Sequence, residues 1–428
     1  MAQESPPAPR ARVGWRARST GPFGLSRDNT WLALSTLLYG ASVGFYQYVL
    51  PLYLEQLGAS PDQVGLGLAI GNSGAVVGLL VGGILVNRYG LRRQILASWG
   101  LTVAAGVLLV AAGSWQIAAL GLLLTTLSLF GIPAYNAYIV LARGRQGTAE
   151  ALTLVYVSFN LGSVVTPALG GWIIAVAGMR AMFGASLVCI VASTLVTIPI
   201  SERQPEVAVS QAVALSGRRN RLTGLFQSYV DALGDPPLRR LLALFAGMYL
   251  ATFVGVSLMP NYLHDRLGMD TAAIGVLGTG AAIVGVAGSL GLVRLVRPLG
   301  EYRALALGQG ALVAGFGLAL LAPSVGSLAL LAGGAGFALR GGLSAQQAIA
   351  RAMVPAVAVG QRLGPAFALQ SILYNGATAL GPALAGILYA RDAALPLAAA
   401  FLIGLPYIIW LGLAGPARVS KPELEQSR

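Results

Sequence analysis

Long apolar runs, broken only by short polar segments, constrain this sequence more than any other feature. A run of about 20 apolar residues crosses the hydrocarbon core of a bilayer as a helix, and only helices or closed barrels satisfy the backbone there. Charged residues form 10% of the chain, against about 25% in a soluble domain, and no period-two alternation indicates a barrel. The sequence predicts an all-α integral membrane protein with twelve spans, near 30–57, 62–87, 93–113, 115–141, 149–177, 181–200, 241–264, 271–296, 303–322, 325–350, 360–390 and 394–415.

The longest polar stretch divides the chain into two six-helix halves. Of the 28 basic residues, 24 fall in the tails and loops of one predicted side and 3 in loops of the other. Basic residues concentrate on the cytoplasmic side of membrane proteins. We therefore expect both termini in the cytoplasm, a multi-pass protein of the inner or plasma membrane, and no nucleic-acid partner despite a net charge of +13. The predicted units are a basic tail (1–29), the N half (30–200), a central cytosolic loop (201–240), the C half (241–415) and a second tail (416–428).

Side chains that build metal and nucleotide sites are scarce. The sequence has 1 cysteine, Cys189, and 1 histidine, His264. The usual zinc sites need more ligands of these types and cannot be assembled. The sole lysine, Lys421, lies near the C-terminus, so a P-loop cannot form. The sequence offers no set of a nucleophile and a base that could converge on a substrate. We expect no catalytic residue, no metal, no cofactor and no enzymatic activity.

The two halves also resemble each other in sequence. A segment near the end of span 1 recurs about 210 residues later, and a motif in span 5 recurs about 215 residues later in span 11. Parallel duplication of six helices is an architecture of membrane transporters, and it places the substrate between the halves near the bilayer midplane. The matched positions are 51–54 with 260–263, Gly65 with Gly275, Asn160 with Asn375, Pro167 with Pro382, and Gly171 with Gly386.

Segment 83–93 (GILVNRYGLRR) resembles the signature loop between spans 2 and 3 of the major facilitator superfamily. Segment 162–171 resembles the Gly/Pro motif that exporters of this superfamily carry in span 5, and 377–386 is its echo. Asn87 stands where the family has Asp, which keeps hydrogen bonding but loses the ionic part. The resemblance implies a gating loop with Gly83, Asn87, Arg88, Gly90, Arg92 and Arg93, and a helix-five/eleven motif with Gly162, Pro167, Gly171, Pro382 and Gly386.

The resemblance further implies the superfamily's fold, with two pseudo-symmetric halves, alternating access, a monomer and a small-molecule substrate. Spans 1, 4, 7 and 10 line the cavity in this family, with contributions from spans 5, 8 and 11, and polar and aromatic residues of this chain cluster there. The expected cavity residues are Tyr39, Tyr46, Gln47, Tyr135, Asn136, Tyr156, Asn160, Tyr249, Arg340, Gln346, Tyr374 and Asn375.

Arg340 is the one charge predicted deep inside a span, away from its ends. An intramembrane ionisable residue indicates a functional site, and two interpretations remain open: Arg340 binds an anionic or carbonyl-bearing solute, or it pairs with polar groups of the protein. No carboxylate falls at the centre of a span, so the candidate coupling residues are Glu55 and Glu150, with protons as the candidate ion.

The function expected from these features is transport of a small amphipathic organic solute, anionic if Arg340 contacts it, with efflux favoured by the span 5 motif. One alternative is a uniporter, exchanger or importer of a small metabolite. An alternative of another class is a receptor or scaffold that does not transport.

Overall fold

A computed structural model describes residues 25–142, 148–202, 230–231, 233–358 and 363–413. These residues form helices and connecting turns, with no strand among them. The helices are Arg27–Tyr46 and Leu50–Gln56 (span 1), Pro61–Tyr89 (span 2), Leu91–Ala111 (span 3), Trp115–Leu127 and Ile132–Leu141 (span 4), Thr148–Thr197 (spans 5 and 6), Pro236–Ser257 and Met259–Leu267 (span 7), Thr271–Leu299 (span 8), Glu301–Leu321 (span 9), Ala329–Leu339 and Gly342–Val357 (span 10), Leu363–Tyr389 (span 11) and Leu395–Leu413 (span 12).

Within the described residues, 10 helical segments are long and apolar enough to cross a membrane. One of them, Ala151–Thr197, has 47 residues, or about 70 Å at 1.5 Å per residue, which is more than twice the bilayer core. Gly178 breaks it with a φ of 81°, a backbone conformation that glycine adopts without strain, so this segment supplies spans 5 and 6. Helices Arg27–Tyr46 and Leu50–Gln56 complete the predicted twelve.

Span 1 carries several hydroxyl groups, and these bond to hydroxyl groups of span 6. Ser35 hydrogen-bonds to Ser193 at 2.8 Å and to Thr197 at 2.7 Å, and Ser42 bonds to Ser186 at 2.7 Å. All five side chains are buried. In hydrocarbon a polar side chain requires such a partner, so these contacts fix spans 1 and 6 against each other inside the N half.

The halves contact each other through two glycine pairs. We call the end of the bundle where spans 2 and 8 begin the distal end, and the opposite end the proximal end. Near the distal end, a Cβ on Gly65 (span 2) would lie 2.8 Å from the Cα of Gly386 (span 11), and a Cβ on Gly275 (span 8) would lie 2.8 Å from the Cα of Gly171 (span 5). These four glycines are the matched positions of the sequence repeat, so the duplicated motif builds the same backbone contact twice.

Polar contacts follow the same two crossings deeper into the bundle. The Ala168 amide of span 5 donates to the Thr279 hydroxyl of span 8 at 2.9 Å. The Asn72 amide of span 2 donates to the Thr378 carbonyl of span 11 at 2.9 Å. Each bond joins one half to the other, so the distal contact combines close backbone packing with directed hydrogen bonds.

Span boundaries differ from the sequence prediction at span 10. Its second helix continues to Val357, whereas the apolar pattern ends near 350. Arg351, which falls just past the predicted end of span 10, therefore lies on this helix. The pattern misses the extension because the last two turns carry arginine and proline.

Candidate functional site

Span 10 is interrupted at the depth of Arg340. The helix Ala329–Leu339 ends before it, and the next helix begins at Gly342. At the interruption a Cβ on Gly341 would lie 2.5 Å from the amide nitrogen of Gly285 in span 8. Only glycine permits this approach, so the backbone contact with span 8 fixes where the helix breaks and where the arginine projects.

The guanidinium of Arg340 lies against two aromatic rings that also contact each other. Its Cζ is 5.4 Å from the ring centroid of Tyr48 in span 1 and 5.5 Å from that of Phe337 in span 10. The two rings meet edge-on with centroids 5.9 Å apart. Cations are attracted to the faces of aromatic rings at such distances, so Arg340 of the C half is held against Tyr48 of the N half.

Arg340 keeps unused hydrogen-bonding capacity in this position. Its Nη1 is buried and has no hydrogen-bond partner. Within the described residues, no carboxylate forms an ion pair with it, since the ion pair found there joins Arg266 to Asp392 at 2.9 Å. A buried unpaired donor costs about 1–3 kcal/mol, and more when it is charged. The site therefore favours a ligand that supplies an acceptor, and an anion supplies the strongest one.

A second group of predicted residues lies near Arg351, on the part of span 10 beyond the break. Tyr156 of span 5 donates to Asn136 Oδ1 of span 4 at 2.7 Å, and Tyr156 is 40% exposed. In the C half, Tyr249 and Tyr374 meet edge-on at 5.3 Å. Arg351 lies within electrostatic range of all three tyrosines, one from the N half and two from the C half.

Other predicted cavity residues lie within one half. Tyr39 stacks on Trp99 at 5.1 Å, and Tyr46 stacks on Phe183 at 5.5 Å. Tyr135 is buried and donates to the Leu32 carbonyl at 3.1 Å. Their hydroxyl or ring faces are occupied by neighbours of the N half, so the structure does not bring them together with Arg340.

Gln346 is likewise buried, inside the C half. It hydrogen-bonds to Gln309 of span 9 and, at 3.2 Å, to Thr252 of span 7. The Asn375 amide donates at 2.8 Å to the Ser371 carbonyl of its own helix. Gln47 lies in the break of span 1 next to Tyr48, and Asn160 is exposed on span 5.

The first residues of the expected gating loop form the C-terminal end of the span 2 helix. Gly83 has open space around it, and Gly90 takes a φ of 78° between spans 2 and 3. Arg92 donates through Nε to the Ile200 carbonyl and through Nη2 to the Ile198 carbonyl, both at 2.8 Å. Arg92 thus caps the C-terminal end of span 6, and Arg93 is exposed. Asn87 and Arg88 belong to the helix, and their side chains lie outside the described part of the structure.

The helix-five/eleven motif lies at the contact between the halves. Beyond the glycine pairs, the Pro382 carbonyl faces Gly65, and the Pro167 ring would lie 3.0 Å from a Cβ on Gly278. Gly162 instead lets span 5 pack against span 1, where a Cβ would lie 2.7 Å from the amide nitrogen of Ala41.

Of the two candidate coupling residues, Glu55 takes part in a contact between the halves. Its Oε2 accepts from the Asn261 amide of span 7 at 2.6 Å, and Asp265 lies within electrostatic range. Glu150 lies on the helix of span 5, and its side chain is outside the described residues. No group of three His, Cys, Asp or Glu that could hold a metal occurs in the residues described.

Sequence reasoning did not select Tyr48, Phe337 or Asn261 as site residues. Phe337 carries no signal, because phenylalanine in an apolar run is ordinary. Asn261 had one: in the repeat it occupies the place of Leu52, and a polar residue at an apolar position of a repeat indicates a specific contact.

Comparison with known families identifies the family to which this chain belongs. The sequence model of the Major Facilitator Superfamily matches residues 32–342, which is well over half of the chain. The chain belongs to the Major Facilitator Superfamily. It is therefore a member of a family of membrane transporters, and its two pseudo-symmetric halves are those of the superfamily fold.

Relatives with assigned functions include exporters of the same superfamily. The enterobactin exporter EntS of Shigella boydii serotype 18 is 26% identical over 285 residues, covering 62% of this chain and 66% of that relative. EntS of Escherichia coli O1:K1 / APEC is 26% identical over the same coverage. The matches thus extend over slightly less than two thirds of these relatives.

Solved structures show the same fold at lower identity. The nucleoside transporter NupG superposes with a TM-score of 0.69 at 12% identity, covering 91% of this chain and 98% of that chain. The peptide transporter POT in complex with sulfate superposes with a TM-score of 0.71 at 16% identity, covering 93% and 97%.

Proposed function

We propose that this protein exports a small amphipathic organic anion by alternating access of a site between its two halves. The observation that carries the proposal is Arg340, whose guanidinium lies against the rings of Tyr48 and Phe337 with Nη1 buried and unpaired. The rings suit the apolar body of a solute, and the guanidinium suits a carboxylate or another planar anion. Arg351 adds a second cation along the same span.

Export rests on two supports. The relatives from Shigella boydii and Escherichia coli are named as exporters of enterobactin, and the span 5 motif is of the exporter type. Enterobactin itself or another aromatic solute with an acidic group is the substrate class we would test first. Import, uniport and exchange remain the alternatives within the transporter class, and a receptor or scaffold is the alternative outside it.

The orientation follows from charge. The positive-inside rule assigns the proximal end, which receives 24 of the 28 basic residues, to the cytoplasm. The glycine pairs then close the site toward the external side. A solute would approach from the cytoplasm past Tyr156 and Arg351, and it would leave when the distal contact opens.

Coupling is proposed at the distal contact. Glu55 is the acidic partner of Asn261 across the halves, so its protonation changes a bond that must break during the cycle. Glu150, at the proximal end of span 5, is the second candidate. Proton antiport and substrate exchange are distinguished by whether efflux continues after the proton gradient is collapsed.

The test is transport into inverted membrane vesicles. An aromatic carboxylic acid and its uncharged methyl ester are compared as substrates, with the intact protein, with Arg340→Gln and with Arg391→Gln. Arg391 is an exposed arginine of the loop before span 12 and is the matched control. A hydrogen bond to a charged group contributes about 1.5–3 kcal/mol, so Arg340→Gln should reduce apparent affinity for the acid by about 10- to 150-fold.

Transport of the ester and transport by the control variant distinguish a role of Arg340 in substrate binding from a purely structural role. Arg391→Gln should transport the acid as the intact protein does. Arg340→Gln and the intact protein should transport the ester equally. Equal loss of acid and ester in Arg340→Gln would assign Arg340 to structure only. Absence of saturable flux of any probe in the intact protein would instead favour the receptor or scaffold.

A further inference from the structure

A second site lies away from the central gap, at the proximal end of the C half. It is a cavity of about 820 Å³ between the first turns of spans 7 and 9, the end of span 10 and the last turns of span 12. Small-molecule sites are usually about 300–1,000 Å³, so the cavity is large enough for an organic ligand. Its residues are distinct from Arg340, Tyr48 and the tyrosines of the central site.

Specific packing builds the walls of this cavity. The Tyr407 hydroxyl of span 12 lies directly against Gly247 of span 7, where no Cβ could be accommodated. On the other side, Tyr302 of span 9 meets Trp410 of span 12 edge-on at 6.5 Å. Aromatic side chains of spans 9 and 12 thus pack at the walls of the cavity.

The cavity faces the lipid side of the bundle. Trp410, which lines it, is 49% exposed, and its neighbours Ile409 and Leu413 are 58% and 83% exposed. Exposed apolar side chains on a membrane span face hydrocarbon. A ligand therefore reaches this cavity from the bilayer, whereas the central site lies between the halves.

The lining combines an apolar wall with one charged side chain near the proximal end. Leu241 and Leu244 of span 7 contribute apolar surface, and Arg240 is the one charged residue among those that line the cavity. Arg240 is the fifth residue of the helix Pro236–Ser257, about 6 Å from its start, which is the depth of the headgroup region for a span that begins at the interface. Trp and Tyr concentrate at that depth.

We propose that this cavity binds an anionic phospholipid of the leaflet at the proximal end, with the headgroup phosphate at Arg240 and an acyl chain along Leu241, Leu244 and Trp410. Basic pockets between transmembrane helices bind anionic headgroups in this way. Charge complementarity at Arg240, apolar walls below it and access from the bilayer all select a lipid. The identity of the leaflet rests on the proposed orientation, but binding itself does not.

The experiment measures thermal unfolding of the purified full chain in detergent, titrated with phosphatidylglycerol or with phosphatidylcholine. Arg240→Gln is compared with Arg239→Gln, because the neighbouring Arg239 is exposed and does not line the cavity. One basic residue near a membrane surface contributes about 1 kcal/mol toward an anionic lipid. Arg240→Gln should therefore weaken the response to phosphatidylglycerol about fivefold, the same energy expressed as affinity.

A third variant tests the apolar part of the site. Ala243 is exposed and lines the cavity, so Ala243→Phe fills the space from the outside without entering the core. It should reduce stabilisation by both lipids, while unfolding in the absence of lipid shows that each variant is folded.

Three results would overturn the proposal. Equal loss of the phosphatidylglycerol response in Arg239→Gln and Arg240→Gln would assign the effect to diffuse surface charge. An unchanged response in Arg240→Gln and Ala243→Phe would place the lipid elsewhere. If the acid of the transport assay, and not the lipid, stabilised the intact protein in an Arg240-dependent manner, the cavity would be a solute site and the lipid assignment would be wrong.

Discussion

Replacing Gly65 by alanine should open the distal contact between the halves while leaving each half folded. The added Cβ would lie 2.8 Å from the Cα and 3.0 Å from the amide nitrogen of Gly386, and it would overlap the Pro382 carbonyl oxygen. All these atoms belong to the backbone of span 11, so no side-chain rotation relieves the overlap. Only separation of spans 2 and 11 does so.

The magnitude follows from the nature of the overlap. Inserting a methyl group into a well-packed contact costs about 1–3 kcal/mol. The gain in helix propensity from glycine to alanine, about 1 kcal/mol, is present in both conformations and cancels. The ratio of distally closed to distally open molecules should therefore fall by about 5- to 150-fold. Gly275→Ala, at the symmetric crossing, should have a similar effect.

Spin labels across the distal end measure this ratio. In a Cys189→Ser background, cysteines at Gln56 and Arg391 place one label on each half, and both positions are exposed. Pulsed electron spin resonance should show a growing population at longer distance in Gly65→Ala. The control is Gly184→Ala in span 6, where a Cβ would have no neighbour within 4 Å. A distance distribution that is identical in Gly65→Ala and Gly184→Ala would refute the reasoning.

Three further substitutions test other contacts. Arg92→Ala removes two bonds to carbonyls at the end of span 6 and should lower the unfolding free energy by about 1–3 kcal/mol, whereas the exposed neighbour Arg93→Ala should change it little in denaturant melts. Asn261→Leu removes the 2.6 Å bond to Glu55 and should raise the distally open population in the same spin-label assay, and no change would exclude this bond as a latch. Gln346→Leu leaves its glutamine partner on span 9 buried without a partner, and it should lower the melting temperature without changing the substrate preference of the remaining folded protein.

The sequence was sufficient to predict the spans because burial in lipid imposes a local requirement. Each crossing needs about 20 apolar residues, and this requirement is read from composition along the chain. The all-α membrane fold was confirmed: the described residues hold 10 helical segments long and apolar enough to cross a membrane, one of which Gly178 divides into spans 5 and 6. Span 10 shows the limit of this reasoning, since its helix passes beyond the apolar run to include Arg351.

The repeat predicted more than the fold. The glycines matched in the repeat, Gly65 with Gly275 and Gly171 with Gly386, form the two close backbone contacts between the halves at the distal end. A glycine that recurs at the same place in a duplicated unit indicates a close backbone approach, but the sequence does not reveal its partner. The structure pairs each glycine with the one from the other motif.

The direction in which a side chain points depends on helix rotation, and rotation is decided by packing. Tyr46 and Tyr48 are two residues apart on span 1, yet Tyr46 stacks on Phe183 inside the N half and Tyr48 reaches Arg340 in the C half. For this reason, only some of the polar residues on the cavity-lining spans lie close to one another in the structure. The sequence determined that this chain is a duplicated twelve-span membrane protein with one arginine deep in a span, because lipid solvation acts on each segment independently. Only the tertiary structure decided that the ring of Tyr48 lies against that arginine and that its Nη1 stays unpaired, because Tyr48 and Arg340 are nearly 300 positions apart in the sequence.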